Sequence, residues 1–160
     1  MGEGSPYVEP GFVAVDPTDG DLTGNVVIGG DQVNTSNPGV YRITYDVINS
    51  QGIEATQGTR TVTVRDITAP ILTLLGESNA THEAAAEYLD PGATAFDGAD
   101  GNLTDSILVT GKIDVQVKGT QTLTYSVSDQ AGNAAPSLIR SVNVQDMTAP
   151  VIILSGDANA

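Results

Sequence analysis

Aspartates are the residues of this chain whose types and spacing best suit chemistry. Two stretches carry them in the same arrangement, Asp16-Pro-Thr-Asp19-Gly-Asp21 and Asp97-Gly-Ala-Asp100-Gly-Asn102. Others stand in Asp129-Gln-Ala-Gly-Asn133, Asp66-Ile-Thr-Ala-Pro70 and Asp146-Met-Thr-Ala-Pro150. Carboxylates held a few ångströms apart repel by kilocalories at reduced dielectric. A hard divalent cation with six to eight oxygen ligands relieves that repulsion, and Ca²⁺ suits flexible loops of Asp, Asn and carbonyl oxygens better than Mg²⁺ does. The pattern is not an EF-hand: position 12 counted from Asp16 is Val27 and from Asp19 is Gly30, so the bidentate glutamate is missing. Asp, Asn and Gly are equally the ordinary residues of tight turns, where Asp caps its own backbone. Cation site and turn are therefore two readings of the same residues.

Other chemistry has little to work with. Cysteine is absent, which removes disulfides, Cys-ligated zinc, iron–sulfur clusters and thiol catalysis. The single histidine, His82, stands beside Glu83 and reads as a surface residue rather than a ligand. With 6 basic and 20 acidic residues the formal charge is −14, so nucleic acid and anionic membrane surfaces are poor partners. No apolar run approaches the roughly 18 residues that cross a bilayer. The opening Met1-Gly2-Glu3-Gly4 is not a signal peptide, so an exported protein would contain this stretch as an excised or processed piece.

What places the aspartates is a repeat. Tyr7, Pro10, Asp16 and Asp19 match Tyr88, Pro91, Asp97 and Asp100 at an offset of 88 − 7 = 81. Beyond Gly39 and Gly119 the offset is 80, pairing Tyr45 with Tyr125, Gly52 with Gly132, Arg60 with Arg140 and Asp66 with Asp146. A one-residue deletion in a turn accounts for the change. Ile71-Leu-Thr-Leu-Leu-Gly76 recurs as Val151-Ile-Ile-Leu-Ser-Gly156. The unit is thus about 80 residues, as internal repeats of a single architecture require. Three segments follow: residues 1–66, a unit lacking its first strand; 67–146, a complete unit; and 147–160, a linker with the first strand of a further unit.

Within a unit, short alternating segments are bounded by Gly, Pro, Asn and Asp, and no helical period is sustained. Tyr41, Ile43, Tyr45 and Val47 share one strand face, with Arg42, Thr44 and Asp46 on the other; Leu123, Tyr125 and Val127 repeat the pattern. Val62 and Val64, matched by Val142 and Val144, make the last strand. The matched tyrosines Tyr45 and Tyr125 are expected to fill the core with the hydroxyl bonded near the strand end. An all-β sandwich of about seven strands per unit is predicted. Strand alternation then sends the Asp97–Asp105 loop, the Asp129–Asn133 loop and the incoming Asp66–Pro70 linker to one pole. Asp66, Asp97, Asp100 and Asp129 are the expected Ca²⁺ ligands; Asp16, Asp19 and Asp146 would form the equivalent only with another copy.

Asp-Pro-Gly-Ala-Thr-Ala, Asp-x-x-Asp-Gly-Asn-Leu-Thr, Leu-Thr-Tyr-Ser-Val-Ser-Asp-Gln-Ala-Gly-Asn and Asp-x-Thr-Ala-Pro follow one another through the second unit. In that order and spacing they resemble the bacterial immunoglobulin-like repeats strung in tandem on surface adhesins and appended to some pesticidal crystal proteins. The first unit departs in its Asn49-Ser-Gln-Gly turn. The resemblance implies tandem Ig-like sandwiches working outside the cell or on the bacterial surface, as a stalk or binding module and not as an enzyme. No cleft-forming insertion interrupts the repeat to house a hydrolytic carboxylate pair. Lys112 and Lys118 have no matching lysine in the first unit, as a repeated isopeptide bond would need.

The ends suggest self-assembly. A unit without its first strand presents an unpaired edge and an apolar groove, and Val151, Ile152, Ile153 and Leu154 form an apolar strand without a sandwich. Donation of 151–154 to the first unit of the next molecule would join copies head to tail, a heterologous contact that grows filaments. The competing class is a ligand-binding module gripping a glycan or host protein through its polar loops, for which the sequence supplies few aromatics.

Overall fold

In the computed structural model, residues 1–153 and 155 are described, and the chain divides into two compact units, Met1–Thr68 and Ala69–Ala160. Among the described residues there is no α-helix; alternation of Val, Ile, Thr and Tyr with polar residues makes strands, joined by turns and two short 3₁₀ segments.

The first unit holds β1 (Val15–Asp16), β2 (Gly20–Asp21), β3 (Val27–Gly30), β4 (Gly39–Asp46) and β5 (Gly58–Val64). β3-β4-β5 form one antiparallel sheet and β1-β2 a small hairpin. The second unit holds β6 (Ile71–Leu74), β7 (Asn79–Glu83), β8 (Ala93–Asp97), β9 (Gly101–Asn102), β10 (Leu108–Gly111), β11 (Gly119–Ser126) and β12 (Leu138–Gln145). Its sheets run β10-β11-β12-β7 and β6-β8-β9, with β7 parallel to β12 and every other pair antiparallel. The repeat is visible in the registers: Gly119↔Val144 through Tyr125↔Leu138 in one unit repeats Gly39↔Val64 through Tyr45↔Gly58 in the other.

The second unit therefore has the seven expected strands, while the first has five. The counterparts of β6 and most of β7 would precede residue 1, and what remains of β7 is the parallel bridge Gly2↔Arg65. Val151–Ile153, expected as a strand, are not one here: they have no ladder partner among the described residues and stand 84–88% exposed. Leu154 lies outside the described residues.

The cores follow the alternation. Ala93, Leu123 and Tyr125 form one buried cluster of the second unit, and Ala95, Val127 and Ala135 another; Leu72 packs against both and Leu74 against the first. In the first unit the buried apolar residues are Ile43, Val62 and Val64. β3 and β10 both stop at a glycine with positive φ, Gly30 and Gly111, set against the carbonyls of Arg42 and Thr122 where a Cβ has no room.

Candidate functional site

Two features repay attention in the matched repeats: an acidic pole and a groove. Pairing of Ile71 with Phe96 and of Asp97 with Gly101 puts the start of β6 and the turn after β8 at the same end of the second unit. Asp97, the last residue of β8, is 2% exposed, and its Oδ1 accepts the amides of Ala99 (2.8 Å) and Asp100 (3.0 Å) in an Asx turn. Its Oδ2 is buried without a hydrogen-bond partner. Asp100 reaches across to the β11–β12 connection, where its Oδ2 accepts Gln130 N at 2.7 Å. Asp129 in that connection is 8% exposed and accepts Asn133 N and Nδ2, both at 2.7 Å. Burial works to raise the Asp129 carboxyl, but the Asn133 side chain and the amides of Asn133, Gly132 and Ala131 outweigh it and hold the group below its ordinary range. Asp100 and Asp129 offer carboxylate oxygens within 4.8 Å of each other.

The other expected ligands sit differently. In the first unit Asp16 Oδ1 accepts Thr18 N (2.8 Å) and Asp19 N (3.0 Å), and its Oδ2 accepts Asn49 Nδ2 (3.2 Å). These bonds depress its pKa, the Asp19 amide most. Asp19 accepts both Ser50 N (2.7 Å) and Ser50 Oγ (2.9 Å). Asp66 belongs to the first unit, where its Oδ1 accepts Thr68 N at 3.0 Å. Asp146 already has a cation: Lys118 Nζ lies 3.1 Å away, at the end of the unit opposite Asp97, and lowers its pKa. His82 lies within β7, 3.1 Å from the Ala86 carbonyl and edge-on to Tyr88, away from the acidic pole.

The groove is in the first unit. In the second, β6 lies along β8 from Ile71↔Phe96 to Leu74↔Ala93. The first unit's counterpart of β8 is Phe12–Asp16, of which Val15 and Asp16 alone pair, with β2. Beside it opens a cavity of about 400 Å³ lined by Phe12, Ala14, Val26, Tyr45, Val47 and Arg60. Their equivalents in the second unit are Ala93, Ala95, Ile107, Tyr125, Val127 and Arg140, among them the buried residues that Leu72 and Leu74 pack against. The cavity thus lies at the place that corresponds to β6 in the second unit.

Residues 1–64 and 72–144 match the family described as bacterial surface protein, Ig-like domain. The chain belongs to this family. The resemblance read from the four motifs therefore holds, and so does its pesticidal branch. This Ig-like chain is 32% identical over 136 residues to the pesticidal crystal protein Cry22Aa of Bacillus thuringiensis, covering 82% of the chain and 18% of that protein. It is also 32% identical over 108 residues to an uncharacterized 81.3 kDa protein of Acholeplasma phage L2, covering 63% of the chain and 14% of that protein. The chain spans less than a fifth of either relative. Among solved structures, the lipoprotein BT2262 from Bacteroides thetaiotaomicron is 27% identical with a TM-score of 0.45, over 51% of this chain and 40% of that one. The CBM51-2 and INT domains of Clostridium perfringens ZmpB, solved in complex with GlcNAc, are 31% identical with a TM-score of 0.39, over 48% and 16%.

Sequence reasoning missed a buried charge in the Ig-like core. Arg140 is 0% exposed; it pairs with Asp90 and donates to the carbonyls of Leu75 and of Gly92, the latter at 3.1 Å. Tyr125 Oη donates to the same Asp90 carboxylate at 2.7 Å, the strand-end bond expected of it. Glu9, Tyr45 and Arg60 repeat the set, with Tyr45 Oη 2.8 Å from Glu9. The signal was available: an acid before Pro-Gly and an arginine in the last strand recur at matched positions in both repeats.

Proposed function

We propose that this chain is a non-catalytic structural module of an extracellular or bacterial cell-surface protein, a stalk or fibre element whose first repeat accepts an apolar strand. The observation that carries the reading is the match between groove and strand. The groove of the first repeat has a lining that corresponds to what Leu72 and Leu74 meet in the second, with Phe12 in place of Ala93 and Val26 in place of Ile107. Ile152 and Leu154 stand in the sequence where Leu72 and Leu74 do, at an offset of 80. The occupant assigned to the groove is segment 151–154 of a second copy. Each large aliphatic side chain buried in this way contributes about 2 kcal/mol, and the strand's backbone groups complete the open edge.

The arginine supports the same assignment. Arg140 donates to the Leu75 carbonyl just past β6, whereas Arg60 has no such partner within the first repeat and its side chain is 29% exposed. Ser155 is the counterpart of Leu75, so an inserted strand would supply the missing carbonyl. Ca²⁺ on the aspartates expected as ligands belongs to this reading as a stiffening element.

Size-exclusion chromatography with light scattering tests the assembly. The full chain is expected to grow in mass with concentration, and the chain lacking residues 151–160 to stay a monomer throughout. The same assembly in the truncated chain would overturn the proposal.

A further inference from the structure

The acidic loops of the two repeats differ at several positions, and one of these differences replaces an amide by a carboxylate. Position 49 of the first repeat is position 129 of the second, since 129 − 49 = 80. Both side chains anchor their loop in the same way: Asn49 Oδ1 accepts Ile53 N at 2.9 Å, and Asp129 Oδ1 accepts Asn133 N at 2.7 Å. With that oxygen fixed alike, the remaining atom is Nδ2 in one repeat and Oδ2 in the other. Asn49 Nδ2 donates to Asp16 Oδ2 at 3.2 Å. The counterpart of Asp16 is Asp97, and there residue 129 has no N–H to donate: its Oδ2 is an acceptor, taken up by Asn133 Nδ2 at 2.7 Å. Asp97 Oδ2 is accordingly left buried with no hydrogen-bond partner, on a residue 2% exposed. A buried polar atom without a partner is costly and calls for an explanation.

We infer that the second repeat binds a hard divalent cation, Ca²⁺, through Asp97, Asp100 and Asp129, and that the first repeat does not, because the Asn49 amide takes the place of the metal. The Asp100 and Asp129 carboxylates supply oxygens within 4.8 Å of each other, and Asp97, whose Oδ1 accepts the Asp100 amide, brings the buried, unpartnered Oδ2. Backbone amides of Ala99, Asp100, Gln130 and Asn133 hold these carboxylates from the protein side, which pre-organises them without neutralising them. Three negative charges so held repel one another unless a cation is present. The set is all oxygen and sits on turns, which matches the ligand preference and adaptable geometry of Ca²⁺; loop carbonyls and water complete the shell of six to eight. The inference rests on the Ca²⁺ part of the proposed function and refines it by assigning the metal to one repeat. It stands within that repeat and needs no strand exchange.

Isothermal titration calorimetry of the EDTA-treated full chain with CaCl₂ tests it. One site per chain is expected, with the melting temperature of the second repeat raised by about 5 °C or more at saturation. Asp129→Asn copies the amide of the first repeat, so it is expected to abolish the binding heat while leaving the metal-free melting temperature at or above that of the parent. Asn49→Asp is expected to create a second site. A melting curve unchanged between EDTA and millimolar Ca²⁺ would overturn the inference. Ca²⁺ binding of undiminished affinity in Asp129→Asn would overturn it too. Strand exchange is read by light scattering on the truncated chain, so failure of one proposal is distinguishable from failure of the other.

Discussion

Arg140 is the largest fully buried side chain of the second repeat and is held there by Asp90 and two carbonyls. Removing one partner of a buried ion pair leaves an uncompensated charge, which costs about 3 kcal/mol or more. Asp90→Asn is therefore expected to destabilise the second repeat by about that amount in urea denaturation. The matched Glu9→Gln is expected to cost the first repeat about 1 kcal/mol or less, because Arg60 and Glu9 are more than a quarter exposed. The same site sets an alkaline limit. Burial, then the hydrogen bond and charge of Asp90, push the Tyr125 hydroxyl well above its ordinary value, with Arg140 opposing. The unfolded tyrosine loses its proton near pH 10 and the folded one only at higher pH, so the folded state binds the extra proton in between. The stabilisation is complete below pH 10 and is lost as pH rises beyond it. Absorbance at 295 nm should show Tyr125 titrating together with unfolding, and Tyr125→Phe should flatten that dependence.

Strands rich in Val, Ile, Thr and Tyr were legible because one face of each is buried: the alternation over Tyr41–Val47 and Leu123–Val127 is a direct record of core contact. The turns that hold Asp97 and Asp129 were legible for a related reason, since Asp and Gly at those spacings fold back on their own amides. β7 was not. Asn79-Ala-Thr-His-Glu83 has no apolar alternation, and what fixes it is its parallel ladder to β12, a long-range pairing that leaves no local pattern. The Arg140–Asp90 pair was missed because composition treats charge as a surface property, whereas the cavity under β6 has two carbonyls and a carboxylate to receive a guanidinium. The difference between Asn49 and Asp129 was visible as a departure in a turn motif. Its meaning needed the hydrogen bonds, which show Asp16 Oδ2 partnered and Asp97 Oδ2 without a partner.

The two repeats share one sandwich pattern, with five strands in the first and seven in the second among the described residues. Family membership is carried by both matched segments, residues 1–64 and 72–144. In the proposed pairing, the apolar segment at 151–154 of one copy meets the groove at Phe12–Val15 of the next as β6 meets β8 inside the second repeat. The central claim is that the groove takes such a strand, and the most direct measurement is fluorescence anisotropy of a labelled peptide of residues 147–158 titrated with the chain lacking residues 151–160. Saturable binding is expected, lost when the peptide carries Ile152→Asp, since that side chain would occupy the place of Leu72. Anisotropy that stays flat for the parent peptide, or rises equally for the Ile152→Asp peptide, would contradict the account.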